Sequence, residues 1–199
     1  MKSNVCKIEK GTKDLCAILR ESEKVAVYNE LTHKQTLQLR LICEEMDGML
    51  PKIIDDFDGD FWIEFENGVC KVNASIEFAS FTVEKKNDLI KIANNKKNAA
   101  AVGVVGKIRS AIENFLLDED ALAIYPMPAE TFGAVHTGID AMDYSYYWSL
   151  DQYKNAVNKK EKPEVWDELE KSVIASVADD IIVGVKGTHA DIIVIKKFA

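Results

Sequence analysis

Phe61-Trp62-Ile63-Glu64-Phe65-Glu66-Asn67-Gly68-Val69-Cys70-Lys71-Val72-Asn73-Ala74-Ser75-Ile76 is the stretch that decides how this chain folds. Phe61, Ile63 and Phe65 alternate with Trp62, Glu64 and Glu66. Beyond Asn67-Gly68, the set Cys70, Val72, Ala74 and Ile76 alternates with Lys71, Asn73, Ser75 and Glu77. Alternation with a period of two puts one set of side chains on each face of a strand, and Asn-Gly supplies the two positive-φ residues of a type I′ turn. The stretch predicts a β-hairpin with one apolar and one polar face. Such a sheet takes helices on its apolar face only.

Upstream, Thr32-His33-Lys34-Gln35 has the form of a capping box, and Leu39, Ile42, Met46, Met49 and Ile53 recur at helical spacing behind it. Pro51 removes a backbone donor inside that pattern and is expected to kink or shorten the helix. The tract Val25-Ala26-Val27-Tyr28 reads as a short strand. Downstream, a helix is expected from about Thr82 to Ala93, with Asn94-Asn95-Lys96-Lys97-Asn98 breaking it. A second runs from about Ala99 to Leu117 with Val105, Ile108, Ile112 and Phe115 as its buried stripe, leaving Gly103 and Gly106 with exposed backbone. Residues 118–162, with Pro126-Met127-Pro128 and the aromatic cluster Tyr144, Tyr146, Tyr147, Trp148 and Tyr153, read as an insertion or lid. Pro163 starts a further helix with Trp166, Leu169, Val173 and Val177 buried. Ile181 to Val185 and Ile192 to Ile195 flank a turn near Lys186-Gly187-Thr188 and form a second hairpin.

This order gives one domain, an α/β (α+β) two-layer sandwich with a mixed, mainly antiparallel sheet and helices on one face. The 199 residues, 47% of them hydrophobic and 29% charged, are enough for a core that needs no disulfide or metal to fold. With 25 Lys and Arg against 33 Asp and Glu, the formal charge of −8 argues against nucleic acid, whose phosphates call for clustered bases. Cys6, Cys16, Cys43 and Cys70 form no Cys-x-x-Cys pair, and Cys43 and Cys70 are expected as buried thiols. The N-terminus lacks the apolar core of a signal peptide, and the run Ala99 to Gly106 is far short of the ~20 residues that span a bilayer. A cytoplasmic protein is expected.

Leu41-Ile42-Cys43-Glu44-Glu45-Met46 on a helix, the hairpin at 61–76, Gly103-Val104-Val105-Gly106 opening a helix, and the closing hairpin resemble the histidine-kinase-type (GHKL) ATPase fold. The closest branch is the short cytosolic one that includes anti-sigma-factor serine kinases. The chain also resembles a group of bacterial proteins known only as ATP-binding. The resemblance covers roughly residues 25–117 and 163–198. It implies ATP as ligand, Glu45 as the residue that acts as or orients a general base, and phosphate contacts from Asn98, Gly103, Gly106 and Lys107. Lys96, Lys97 and Arg109 add positive charge nearby.

Where the family holds Mg²⁺ with an asparagine, this chain has Met49, a thioether that is a poor ligand for an ion that takes oxygen. Asp47 points roughly 200° around the helix from Glu45 and cannot replace it. Where the family recognises adenine through Asp-x-Gly, Ser75-Ile76-Glu77-Phe78-Ala79-Ser80 has neither residue. Apart from the resemblance, Glu44 and Glu45 also read as surface carboxylates, Glu77 as an exposed one, and the glycines as a close helix crossing.

His33, His136 and His189 lack metal-ligand spacing, and no Gly-x-Ser-x-Gly elbow places a nucleophile. Asp55, Asp56, Asp58 and Asp60 match a Ca²⁺ loop in composition but not in spacing. The expectation is a degenerate ATPase-fold protein that acts in bacterial signalling or regulation through a protein partner. The competing readings are an active serine kinase or ATPase of the same fold, and an interaction module working through its aromatic segment.

Overall fold

The computed structural model describes residues 1–11, 15–54, 56–78, 104–109, 112, 146–156 and 172–198. Its centre is a six-stranded sheet in the order β1-β2-β3-β6-β5-β4. The strands are β1 (Cys6–Glu9), β2 (Phe57–Glu66), β3 (Val69–Phe78), β4 (Tyr146–Ser149), β5 (Asp180–Lys186) and β6 (His189–Lys197). Every pairing among the described strands is antiparallel. Two hairpins, β2–β3 and β5–β6, lie side by side through β3 and β6.

Both hairpins follow from their turns. Asn67 and Gly68 take φ of 50° and 77°, the two positive values that match a right-twisted hairpin. Gly187, at φ 60°, is the first residue of the two-residue turn between β5 and β6, where a type II′ turn wants glycine. These turns fix the registers Phe61↔Ala74 and Val183↔Ile192, which put Phe61, Ile63, Val72, Ala74, Ile76, Ile181, Val183, Ile192 and Val194 on one face.

That face is covered by helix α1 (Leu15–Tyr28) and helix α2 (His33–Ile53). Thr32 caps α2 through the expected capping box: its hydroxyl accepts from the Gln35 amide, and the Gln35 side chain accepts from the Thr32 amide. The spaced residues Leu39, Ile42, Met46, Met49 and Ile53 are all buried, as are Cys43 and Cys70. Pro51 sits in the last turn of α2, where the helix is about to end in any case.

Val25 to Tyr28 is not a strand but the last turn of α1. The helix closes with a Schellman motif: Leu31 N–H donates to Ala26 O at 2.9 Å and Glu30 N–H to Val27 O at 3.2 Å, with Glu30 at φ 52°. Glutamate rarely takes that conformation, and a glycine there would have marked the helix end. The expected stripe over 163–177 also changes. Ser172 caps a separate short helix, Val173–Val177, whose buried residues are Ile174 and Ala175, while Val173 is exposed. Trp166 and Leu169, like the expected helix at 82–93 and Phe115, lie outside the described residues.

Of the segment 118–162, residues 146–156 are described. They form β4, paired with β5, and the helix Leu150–Ala156, whose Leu150 enters the core. Among the described residues no helix is long and apolar enough to cross a membrane.

Besides backbone bonds from Met1 and Ser3 to β2, a buried carboxylate helps hold the N-terminal residues. Glu21, on α1, accepts from the Asn4 amide at 3.0 Å, from Asn4 Nδ2 at 3.2 Å and from Lys24 Nζ at 2.5 Å. Burial pushes the Glu21 carboxyl up, but the bonds from Lys24 and Asn4 outweigh it and hold the group below the usual range. Glu21→Ala strands the Asn4 donors and is expected to cost about 1–3 kcal/mol, read as a lower urea midpoint. Because the folded pKa is depressed, the stabilisation is complete above the ordinary glutamate pKa and fades as pH falls through the lower folded value. Stability measured from pH 7 to 3 should therefore fall less in the variant than in the parent.

Candidate functional site

The residues singled out from the sequence fall into two places. Glu45 is half-buried on α2, between the buried Cys43 and Met46 and beside Glu44, which accepts from Arg40 Nε at 3.0 Å. Met49 is 2% exposed and packs in the main core, so the position that the resemblance assigns to a metal-binding asparagine is part of the hydrophobic interior. Residues 104–109 are helical and dock at the far end of α2, where Arg109 Nη1 donates to Lys52 O at 3.3 Å. This caps a C-terminal carbonyl of α2 with a cation, the favourable sign for a helix C-terminus.

Gly106 is buried rather than open, with Val104 and Ile108 buried on either side. Lys107 lies with Nζ 5.8 Å from the centre of the Tyr153 ring, a cation–π contact that ties 104–109 to the helix Leu150–Ala156. Among the described residues no ion pair joins Lys107 to Glu45. Asn98 and Gly103 lie outside the described residues.

The second place is a cluster that was not read from the sequence. On the sheet face away from the helices, β3 and β6 pair with Glu77 opposite His189 and Ser75 opposite Asp191. The His189 ring stands between two carboxylates: Nδ1 is 2.7 Å from Glu77 Oε1, and Nε2 is 3.2 Å from Asp191 Oδ2. Ser75 Oγ is 3.3 Å from the same Nε2. The turn is tied in as well, since Phe78 N–H donates to Thr188 O at 3.0 Å. Burial pushes the His189 pKa down, but the bond to Glu77 and the charge of Asp191 outweigh it, so the ring holds its proton above the usual histidine range.

Ser75, His189 and Glu77 have the connectivity of a serine–histidine–carboxylate triad, yet the chemistry does not follow. A general base must have a free lone pair on Nε2, and here Asp191 keeps a proton on that nitrogen. The amides of a paired strand are also spent on the ladder, so none is left to form an oxyanion hole beside Ser75. The cluster joins two strands and favours the protonated ring.

Beside it, a groove of about 530 Å³ is lined by Glu9, Lys10, Asp56, Phe57, Asp58, Glu77 and Phe78. Among the described residues no three His, Cys, Asp or Glu side chains are placed to hold a metal ion. His189 and Glu77 were visible in the sequence only as separate polar residues. What joins them is a strand pairing across 112 positions, for which no local pattern exists.

Fold and site together define an α+β two-layer sandwich whose described helices cover one face of an antiparallel sheet. No protein-family model, no curated protein and no solved structure matches the chain.

Proposed function

We propose that the chain is a histidine-kinase-type ATPase-like protein with reduced catalytic chemistry, acting in bacterial signalling or regulation through protein contacts and retaining weak ATP binding. The observation that carries this reading is the arrangement around α2. A capped helix bearing Glu45 packs beneath two adjacent antiparallel hairpins, and a glycine-bearing helix from later in the chain docks at its end. As the resemblance implies, ATP would be held by Lys107 together with Asn98 and Gly103, which lie outside the described residues, and Glu45 would act on its terminal phosphate. Burial of Met49 supports the loss of the family's metal ligand and so a binding rather than a hydrolytic role. Val27, Tyr28 and Leu37 are large apolar side chains exposed on α1 and α2, which supports contact with a protein.

Calorimetry and thermal unfolding with ATP, with and without Mg²⁺, test the reading. Binding with a Kd of ~100 µM adds about 2.7 kcal/mol of stability at about 10 mM ATP, and Mg²⁺ is expected to add little. Absence of any shift at that concentration sinks the nucleotide reading. Phosphate release that is lost in Glu45→Ala would instead establish an active enzyme.

A further inference from the structure

We propose that His189 is a proton-operated clasp that fastens the β5–β6 turn to the end of β3 and sets the charge of the groove beside Glu77. The inference concerns the sheet face opposite the described helices and stands independently of ATP binding.

Donor counting carries it. An imidazolium donates from both ring nitrogens, whereas a neutral imidazole has one N–H and one lone pair. With Glu77 at 2.7 Å from Nδ1 and Asp191 at 3.2 Å from Nε2, only the charged ring satisfies both carboxylates. Removing the proton turns a lone pair toward one of them, and that contact must open.

The side chains decide which contact goes. Asp191 is short, 18% exposed, and sits two residues along the same strand. Glu77 is 57% exposed, has a longer side chain, and borders the groove. The neutral ring therefore keeps Nε2–H on Asp191, and Glu77 is released into the groove that Lys10 also lines. Thr188, whose Oγ1 is 3.5 Å from Glu77 Oε2, loses its side-chain partner in the same step, and the backbone bond from Phe78 to Thr188 is left to hold the turn.

The neighbouring charges set where this happens. Asp58 lies opposite Glu77 on β2 and Glu9 opposite Asp58 on β1, and both favour retention of the proton. Asp60, opposite Ser75, is offset by Lys7 at 2.7 Å. Lys186, opposite His189 on β5, and Lys10 in the groove act against it. The sign follows from the raised folded pKa: the clasp is closed below the ordinary histidine value and opens as pH rises through the higher folded value.

Two NMR measurements on the whole protein test this, with His189→Gln used to assign the ring signal. His189 should titrate above ~6.5, and Glu77→Gln should bring it back toward that value. Protection of the Phe78 and Thr188 amides from hydrogen exchange, corrected for intrinsic rate, should fall about tenfold for each unit by which His189 titrates high. Glu77→Gln, at an exposed position, should fold and should show protection that depends less on pH than in the parent, because Asp191 alone then acts on the ring. Titration of His189 at or below ~6.5, or protection in the parent that stays level across the range, would overturn the proposal.

Discussion

Gly59→Ala should leave the protein unfolded or barely folded, although it adds a single methyl group to a strand. A Cβ built at Gly59 falls 2.2 Å from the carbonyl oxygen of Ser75 and 2.9 Å from Cα of Ile76. Both atoms are backbone of the paired strand β3, so no side-chain rotation relieves the clash. Gly59 lies between Ile8 on β1 and Ile76 on β3, and opening either ladder exposes Phe61 and Ile63 behind it. Overpacking a rigid site commonly costs about 1–3 kcal/mol; here the backbone must part, so a cost above ~3 kcal/mol is expected. Gly48→Ala is the matched comparison, because nothing lies within 4 Å of its added Cβ and the residue is inside α2. That change should stabilise the protein by about 0.5–1 kcal/mol, since alanine loses less freedom in a helix. Urea midpoints of the two variants should move in opposite directions. A Gly59→Ala midpoint equal to that of the parent would show that β2 and β3 do not approach so closely there.

Met49→Asn is the second large effect, and it separates a reading by resemblance from one by packing. If the position faced a nucleotide, asparagine would restore a ligand and Mg²⁺-dependent ATP binding would appear. Met49 is instead 2% exposed among Met46, Leu50 and Ile53. Asparagine there forfeits the buried thioether and leaves an amide without partners, at a combined cost of about 3–5 kcal/mol. Met49→Leu conserves volume and polarity and should cost less than ~1.5 kcal/mol. The expected outcome is a stability loss for asparagine alone, with no gain in Mg²⁺-dependent binding. A stable Met49→Asn protein that binds Mg-ATP more tightly than its parent would mean that this turn of α2 borders a ligand and not the core.

What could be read from the sequence was what is local. The capping box at Thr32, the α2 stripe and the two hairpin turns each involve residues within a few positions of one another. Their patterns follow from helix and strand periodicity. Val25 to Tyr28 was misread because a four-residue apolar run fits a strand and a helix turn equally well, and Glu30 took the place where glycine would have marked the end. The join of β3 to β6 and the seat of β1 at the edge of the sheet rest on pairings between distant segments. Residues 146–149 gave no strand signal either, because their aromatic run lacks a period of two and stands in a proline-bearing, acidic neighbourhood. The histidine cluster was hidden for the same reason as the β3–β6 join. Glu45, Gly106 and Lys107 could be named from sequence, but that Gly106 is buried and that Lys107 faces Tyr153 could not.

The position of β6 has a consequence for how the chain comes to be folded. The strand with the highest residue numbers is not at the margin of the sheet but third in from one side, joining the β2–β3 hairpin to the β4–β5 pair. Until residues 189–197 leave the ribosome, β3 and β5 each carry an unpaired row of amides and carbonyls, the kind of margin on which strangers pair. The strand that joins the two halves of the sheet is thus made after the strands it pairs with, and contacts formed over so long a loop form slowly. Chains cut before His189 should not be smaller versions of this protein; they should aggregate, with two strand edges open in the middle of what would have been the sheet.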